Sequence, residues 1–343
     1  MNSIKGISLF SGAGGMDLGF QKAGIDIVWA NDIDKYAVQT YEHNIGSHIR
    51  RGSIYDFDFG SLPDCDLIFG GPPCQGFSVA GKMDVNDPRS KLIFVFQDIV
   101  RAKSPKLFVM ENVAALARLD KFSEVRNRLI NNYVDLGYNL KMQILNANDY
   151  GVPQNRERVI LIGSKNLYFN KYEYPAKVKS LNVRESLTSF YNTEPPYNPE
   201  TEVCRARITV AQHPVLRKSP YAGMIFNGMG RPINLDGAAP TLPASMGGNK
   251  TPIIDTLLLR DRHSYDWIKE YHSMLIKGTP FDAYKINVPE YIRRISVREA
   301  ARLQGFPANF KFMGSQVQQY KQIGNSVPPE FAYHIAMSIK EYI

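Results

Sequence analysis

The chain has 343 residues, 44% hydrophobic and 22% charged, with a net charge of +8. This composition excludes a disordered, collagen-like or disulfide-stapled protein and allows one large domain plus a smaller one. No apolar run approaches the ~18 residues that a bilayer span needs. The N-terminal stretch MNSIKGISLFSGAGG breaks at glycine too early for an export signal, so a cytoplasmic protein with no membrane partner is expected. The cysteines, Cys65, Cys74 and Cys204, are odd in number and fit no zinc spacing, so neither disulfides nor a metal are expected.

The first ~165 residues alternate between strand-like and helix-like segments. Strands are predicted at 6–10, 25–30, 67–69, 107–110 and 159–162, with helices at 16–23 and 121–136. Such alternation predicts an α/β fold, a mainly parallel sheet covered by helices on both faces. From about residue 170 the texture turns rich in Pro, Gly, Asn, Thr and Arg, predicting a smaller, loop-rich second domain with short strands. A helix is predicted at 296–304, with Ser296 as N-cap, Glu299 three residues on and Gly305 as its stop, and another at 329–343. The charge is uneven. Residues 176–314 hold 19 Lys+Arg against 12 Asp+Glu, a net of +7, which leaves +1 for the remainder. That segment is either a solvated basic surface or the face for a polyanion.

The loop from Phe10 to Gly15 lies between a predicted strand and helix, where glycines permit a tight turn and close approach of a ligand. It departs from the dinucleotide fingerprint, because Asp17 stands where the third glycine would be. A carboxylate there suits a ligand without pyrophosphate. Asp32 closes the second strand, from which an acid can bond ribose hydroxyls. A nucleoside cofactor or a purely structural turn both fit this pattern.

The stretch 70–78, GGPPCQGFS, sets Cys74 behind two prolines and between glycines, directly after a buried strand. A cysteine can simply be a small packing residue, but one held in so rigid a loop is better placed to react. Cys65 and Cys204 lack such a setting and are expected to be inert. Glu111 ends the next strand and can hold or deliver a proton. Arg156 and Arg158 share a side if 156–159 is extended. They suit a thiolate or an anionic substrate, or else form a surface ion-pair network with Glu157.

Taken together, these segments resemble the DNA (cytosine-5) methyltransferase family. The blocks run in the family's order: LFSGAGG at 9–15, GGPPCQGFS at 70–78, ENV at 111–113, QNRERV at 154–159, RRISVREAARLQGFP at 293–307 and QIGNSVPP at 322–329. They cover most of the chain except roughly 170–290. The resemblance implies a Rossmann-like, S-adenosylmethionine-dependent methyltransferase fold with a target-recognition domain. It implies a discontinuous catalytic and cofactor-binding domain, 1–175 plus 315–343, with target recognition at 176–314.

The resemblance also assigns roles. Cys74 would add to carbon 6 of a flipped-out cytosine and make carbon 5 nucleophilic. Glu111 would keep ring nitrogen 3 protonated, and Arg156 and Arg158 would orient the base and the Cys74 loop. S-adenosyl-L-methionine would lie along Phe10, Gly12, Ala13, Gly14 and Gly15, with Asp32 on its ribose and Ile33 on its adenine. Ile54, Pro73, Leu92, Asn325 and Ser326 match further cofactor positions. Family members commonly carry Gly-Asp-Ile where this chain has Gly52-Ser53-Ile54, so Ser53 or nearby Asp56 would serve in place of that aspartate.

Double-stranded DNA is the implied partner. Gln75, Ser78, Arg231, Thr241, Leu242, Lys250 and Arg260, with Arg262, are its contact candidates. A monomer is expected, in a bacterial cytoplasm and at the nucleoid, as the modification half of a restriction-modification system whose endonuclease is a genetic rather than physical partner. Transfer to tRNA is a second reading, disfavoured by the Gly76-Phe77-Ser78 that follows Gln75. A catalytically silent DNA-binding protein is a third.

Overall fold

The computed structural model describes residues 3–73, 91–192 and 203–343. Cys74, Gln75 and Ser78 lie outside them. The chain divides into two compact units, one of Met1–Gly151, Arg156–Lys179 and Ser326–Ile343, the other of Val152–Asn155 and Ser180–Asn325. Residues 315–325 belong to the second unit and 326–343 to the first.

The first unit is built on a seven-stranded sheet. Its strands are β1 (Ile4–Leu9), β2 (Ile25–Asp32), β3 (Ile49–Arg51), β4 (Leu67–Gly70), β5 (Leu107–Val113), β6 (Asn139–Asn146) and β7 (Glu157–Ser164), in the order β3-β2-β1-β4-β5-β7-β6. From β3 to β5 every pairing is parallel. Central β4 is buried along its whole length, which is why it is an unbroken apolar run rather than an alternating one. The strand order reverses between β1 and β4, whose last residues pair as Leu9↔Gly70. Open α/β sheets leave their ligand crevice at the carboxyl edge of such a switch point. β7 runs antiparallel to β5, with Val113 opposite Arg158, so the start of β7 lies beside the end of β5.

Helices α1 (Gly15–Lys22), α2 (Lys35–Asn44), α3 (Leu92–Lys103), α4 (Ala115–Arg118) and α5 (Ser123–Asp135) belong to this unit. α3 buries Ile93, Val95, Phe96, Ile99 and Val100, the helical spacing of an inward stripe. Phe96 meets Phe108 of β5, which stacks on Tyr133 of α5 at 4.1 Å between centroids. Phe108 is fully buried, and its truncation to alanine would cost about 3–5 kcal/mol.

The second unit contains α6 (Val183–Tyr191), β8 (Val210–Val215), β9 (Met224–Phe226), β10 (Ile253–Asp255), α7 (Thr256–Arg260), α8 (Trp267–Ile276), β11 (Ile292–Arg294), α9 (Val297–Leu303) and α10 (Gln316–Asn325). Its strands form two short antiparallel pairs, β8–β9 and β10–β11. Ser296 caps α9 in a reciprocal box with Glu299, and Gly305 follows with φ of 89°. Finally α11 (Pro329–Ile339) returns to the first unit and packs on α1, where Lys22 bonds Glu330 at 2.6 Å and lies over the Tyr333 ring.

Candidate active site

Three segments meet at the carboxyl edge of the first unit's sheet: the loop after β1, the residues after β4, and the end of β5 beside the start of β7. Phe10 adopts a positive φ of 56°, strain of the kind that clusters at functional loops. Gly14 has φ of 85°, and a Cβ there would lie 2.1 Å from Ile45 and 2.8 Å from the Tyr41 ring, so only glycine fits. Around Gly12, by contrast, a Cβ would meet nothing within 4 Å. Ala13 and Gly15 are buried.

Asp32, at the tip of β2, accepts the Gly12 N–H at 2.7 Å and the Asp34 N–H at 2.8 Å. Its carboxylate therefore ties the loop to β2. The next residue, Ile33, leaves 70% of its surface exposed, a large apolar side chain turned to solvent beside that carboxylate. Asn31 bonds the carbonyls of Arg50 and Gly52, which fixes the end of β3 alongside. There Ser53 caps the turn Ile54–Asp56, and the Asp56 carboxylate accepts the Ser53 N–H at 2.9 Å. Asp56 thus serves as a capping group. Ile54 is buried, and Phe10 and Leu92 both pack against the apolar cluster that contains it.

The segment leading to Cys74 is held from below. Asn112 donates its side-chain amide to the Pro72 carbonyl at 3.2 Å. Pro73 is half-buried just before the cysteine. A Cβ on Gly71 would lie 2.9 Å from Glu111 Oε2, so the backbone after β4 passes directly against that carboxylate. Glu111 Oε1 pairs with Arg158 Nε at 2.8 Å, and both side chains are largely buried. Arg156 is 2% exposed; burial pushes its pKa well down, with Arg158 adding and Glu111 opposing. Both arginines therefore feel the same carboxylate. Glu157 points elsewhere and pairs with Arg118 of α4 at 2.5 Å, so the network with Arg156 and Arg158 does not form through it.

The two described cysteines look unreactive. Burial pushes the Cys65 thiol up to about 12, and Cys204 is buried under Thr251. Asn325 ends α10 in the second unit, while Ser326 opens the segment that returns to the first.

Within the second unit, Thr241 donates to the Asn155 carbonyl at 2.6 Å, and the Leu242 N–H is held by Gln154. Leu242 is fully buried, so its side chain presents nothing to an outside partner. The loops 227–231 and 246–250 are bound together: Met229 and Gly230 donate to the Asn249 carbonyl. Buried Arg294 donates to the carbonyls of Ala206, Asn227, Asn249 and Thr251. Arg231 and Lys250 are exposed on those loops, and Arg260 is exposed at the end of α7. Arg262 pairs with Asp236, which Arg184 and Arg262 together hold at about 2.

Sequence reasoning gave no role to Asn112, Gly71 or Arg294. Each lies inside or next to a recognised block, but its part depends on a long-range contact that local pattern does not carry.

A family model described as C-5 cytosine-specific DNA methylase matches residues 4–341. The Type II methyltransferase M.MthTI of Methanothermobacter thermautotrophicus is 35% identical, over 97% of this chain and 96% of that protein. M.FnuDI of Fusobacterium nucleatum is likewise 35% identical, over 98% of this chain and 94% of its own. Among solved structures, methyltransferase EhMeth of Entamoeba histolytica has a TM-score of 0.69 at 20% identity, covering 100% of this chain and 98% of that one, a likeness of fold. The chain belongs to the C-5 cytosine-specific DNA methylase family and is a DNA (cytosine-5) methyltransferase.

Proposed function

We propose that the protein methylates carbon 5 of a flipped-out cytosine within a short sequence of double-stranded DNA, through a covalent Cys74 adduct and with S-adenosylmethionine as donor. The observation that carries this reading is the placement of Gly71, three residues before Cys74, against Glu111, and of Glu111 against Arg158.

The residues at the glycine loop suit the donor. Open space at Gly12, a carboxylate at Asp32 and the exposed apolar Ile33 form an apolar-and-polar cradle for an adenosine group. Phe10, Ala13, Gly14, Gly15, Ser53, Ile54, Pro73, Leu92, Asn325 and Ser326 complete the proposed set. When bound, S-adenosylmethionine supplies a methyl group made electrophilic by its sulfonium.

The chain's own residues do the rest. The Cys74 thiolate forms a bond to carbon 6, which moves ring electrons toward carbon 5. Glu111 keeps ring nitrogen 3 protonated and so offsets the developing charge. Arg158 and Arg156 orient Glu111 and the base. Once carbon 5 carries the methyl group, its proton passes to water and Cys74 leaves as the thiolate, which restores the aromatic ring. Flipping the base costs a few kcal/mol.

In this reading the first unit is catalytic and the second recognises the target, with Gln75, Ser78, Arg231, Thr241, Lys250 and Arg260 as contacts. Leu242 anchors Thr241 from inside. The protein acts as a monomer on cytoplasmic, nucleoid DNA, as the protective partner of a restriction endonuclease. Labelled methyl transfer to duplex DNA tests this: incorporation is expected, with Cys74→Ser abolishing it. Incorporation into tRNA but not duplex DNA would refute it. Bisulfite sequencing of DNA from expressing cells then reads the target site.

A further inference from the structure

Beneath the glycine loop lies a buried polar chain that the steps above do not use. Asp17, in the first turn of α1, is fully buried. Tyr41 of α2, also fully buried, donates its hydroxyl to Asp17 Oδ1 at 2.9 Å and lies 2.8 Å from His48 Nε2. Asp17 Oδ2 has no hydrogen-bond partner among the described residues. The same Tyr41 ring forms the floor against which Gly14 turns. The chain therefore runs from the underside of the loop to a half-exposed imidazole.

No cation pairs with this carboxylate among the described residues. Burial pushes its carboxyl up, with the Asp32 charge adding, while Ser8 and Tyr41 favour the ionised form, and the balance brings it up to about 7. His48 in turn faces Asp26 and Arg50, with burial lowering it. An α-helix start is electropositive and repels a cationic ligand, and an ionised Asp17 one turn behind it offsets that field. At low dielectric such a charge acts over several ångströms.

We propose that Asp17, backed by Tyr41 and His48, is a charge-sensing positioning residue that makes the glycine loop prefer the sulfonium donor over the neutral thioether left after methyl transfer. This rests on the cofactor assignment above. The hydrogen-bond directions supply a proton route. Tyr41 carries one hydroxyl proton, so when it donates to ionised Asp17 its oxygen accepts from His48 Nε2–H. When Asp17 is protonated, both bonds reverse and His48 carries its proton on Nδ1. Ionisation of Asp17 therefore passes its proton to Tyr41, the Tyr41 proton to His48 Nε2, and the Nδ1 proton to solvent. Cofactor uptake and release are thereby coupled to one proton.

Calorimetric binding of S-adenosylmethionine and S-adenosylhomocysteine to the full chain, between pH 6 and pH 8 in buffers of differing ionisation enthalpy, tests this. The affinity ratio of donor to thioether should fall about threefold to tenfold as the pH drops to 6, and donor binding should release protons near neutrality. In Asp17→Asn the ratio should be flat and the proton release absent. Tyr41→Phe removes the hydroxyl that donates to Asp17 Oδ1 and should move the midpoint of the ratio to higher pH. An Asp17→Asn profile that matches the wild type overturns the proposal. So does an unmoved midpoint in Tyr41→Phe, which decides the matter if Asp17→Asn does not fold. If the wild type binds neither ligand at any pH, the cofactor assignment falls first and this proposal with it.

Discussion

The two units hold their candidate functional residues by different means. In the first, strand register does the placing: Leu9 beside Gly70, and Val113 beside Arg158, bring loop ends together through a continuous ladder of backbone bonds. In the second, the loops 227–231 and 246–250 lie outside its two short strand pairs. One buried guanidinium, Arg294, gathers their carbonyls instead. A site set by register spreads its support over many bonds, so single changes there alter chemistry more than architecture. A surface gathered by one side chain concentrates its support, so its architecture and its binding should fail together.

The sharpest way to break this contrast is at Glu111. Glu111→Gln should lower the rate of methyl transfer by about 10²–10⁴-fold while circular dichroism and cofactor affinity stay near wild type. Loss of the fold would show that the first site depends on a single contact after all. Arg294→Ala should do the opposite. It strands several buried carbonyls and should destabilise the second unit by about 3–5 kcal/mol, with DNA affinity lost and cofactor affinity kept. Arg294→Lys should not rescue it, because an ammonium cannot span that fork of acceptors. Equal losses of DNA and cofactor binding would erase the distinction.

A third test concerns Asp17, a buried carboxyl in the register-built unit with one oxygen that has no hydrogen-bond partner among the described residues. Its carboxyl is raised from 3.8 to about 7 in the folded protein. The folded state therefore binds more protons than the unfolded state between these values. Its contribution is fully present below about pH 4 and is lost as pH rises through about 7. Thermal melts of Asp17→Asn and wild type should diverge over that window, the variant gaining up to about 4 kcal/mol relative to wild type above pH 7. A difference that stays constant with pH would refute the shift. The smallest effect belongs to the exposed cations. Lys250→Ala should weaken DNA binding for every sequence alike and reduce the salt slope by about 1. Arg262→Ala should change it less, since Asp236 already occupies that guanidinium. Titrations at two salt concentrations separate them.

Much of the first unit was legible because its signals are local. The apolar runs of β1, β2, β4 and β5 and the Ser296–Glu299 box can each be read within a few residues. β6 was not, because it is an edge strand whose Asn139, Met142 and Gln143 face solvent and carry no apolar alternation. The reversal of β7 was equally hidden, since a strand's direction leaves no mark in its residue pattern. Asp17 was read as a poor match to a phosphate site, but its burial beneath Gly14 depends on Tyr41 of another helix. In the second unit α8 was missed, and the pairing of Arg262 with Asp236 lay beyond any spacing rule. Cys74, Glu111 and the arginines stood out because their chemistry is bound to short blocks.

The partnership of α1 with α11 has a consequence for biosynthesis. Lys22 and Glu330 stand 308 residues apart in the chain, yet their helices pack side by side. A polypeptide emerging from the ribosome presents α1 long before the helix that packs on it. Domains fold as units as they are made, and the second unit lies almost wholly between these two helices. It can therefore fold while the first still lacks α11. A released chain truncated before Pro329 should resist protease across 203–325 and remain open to it around α1.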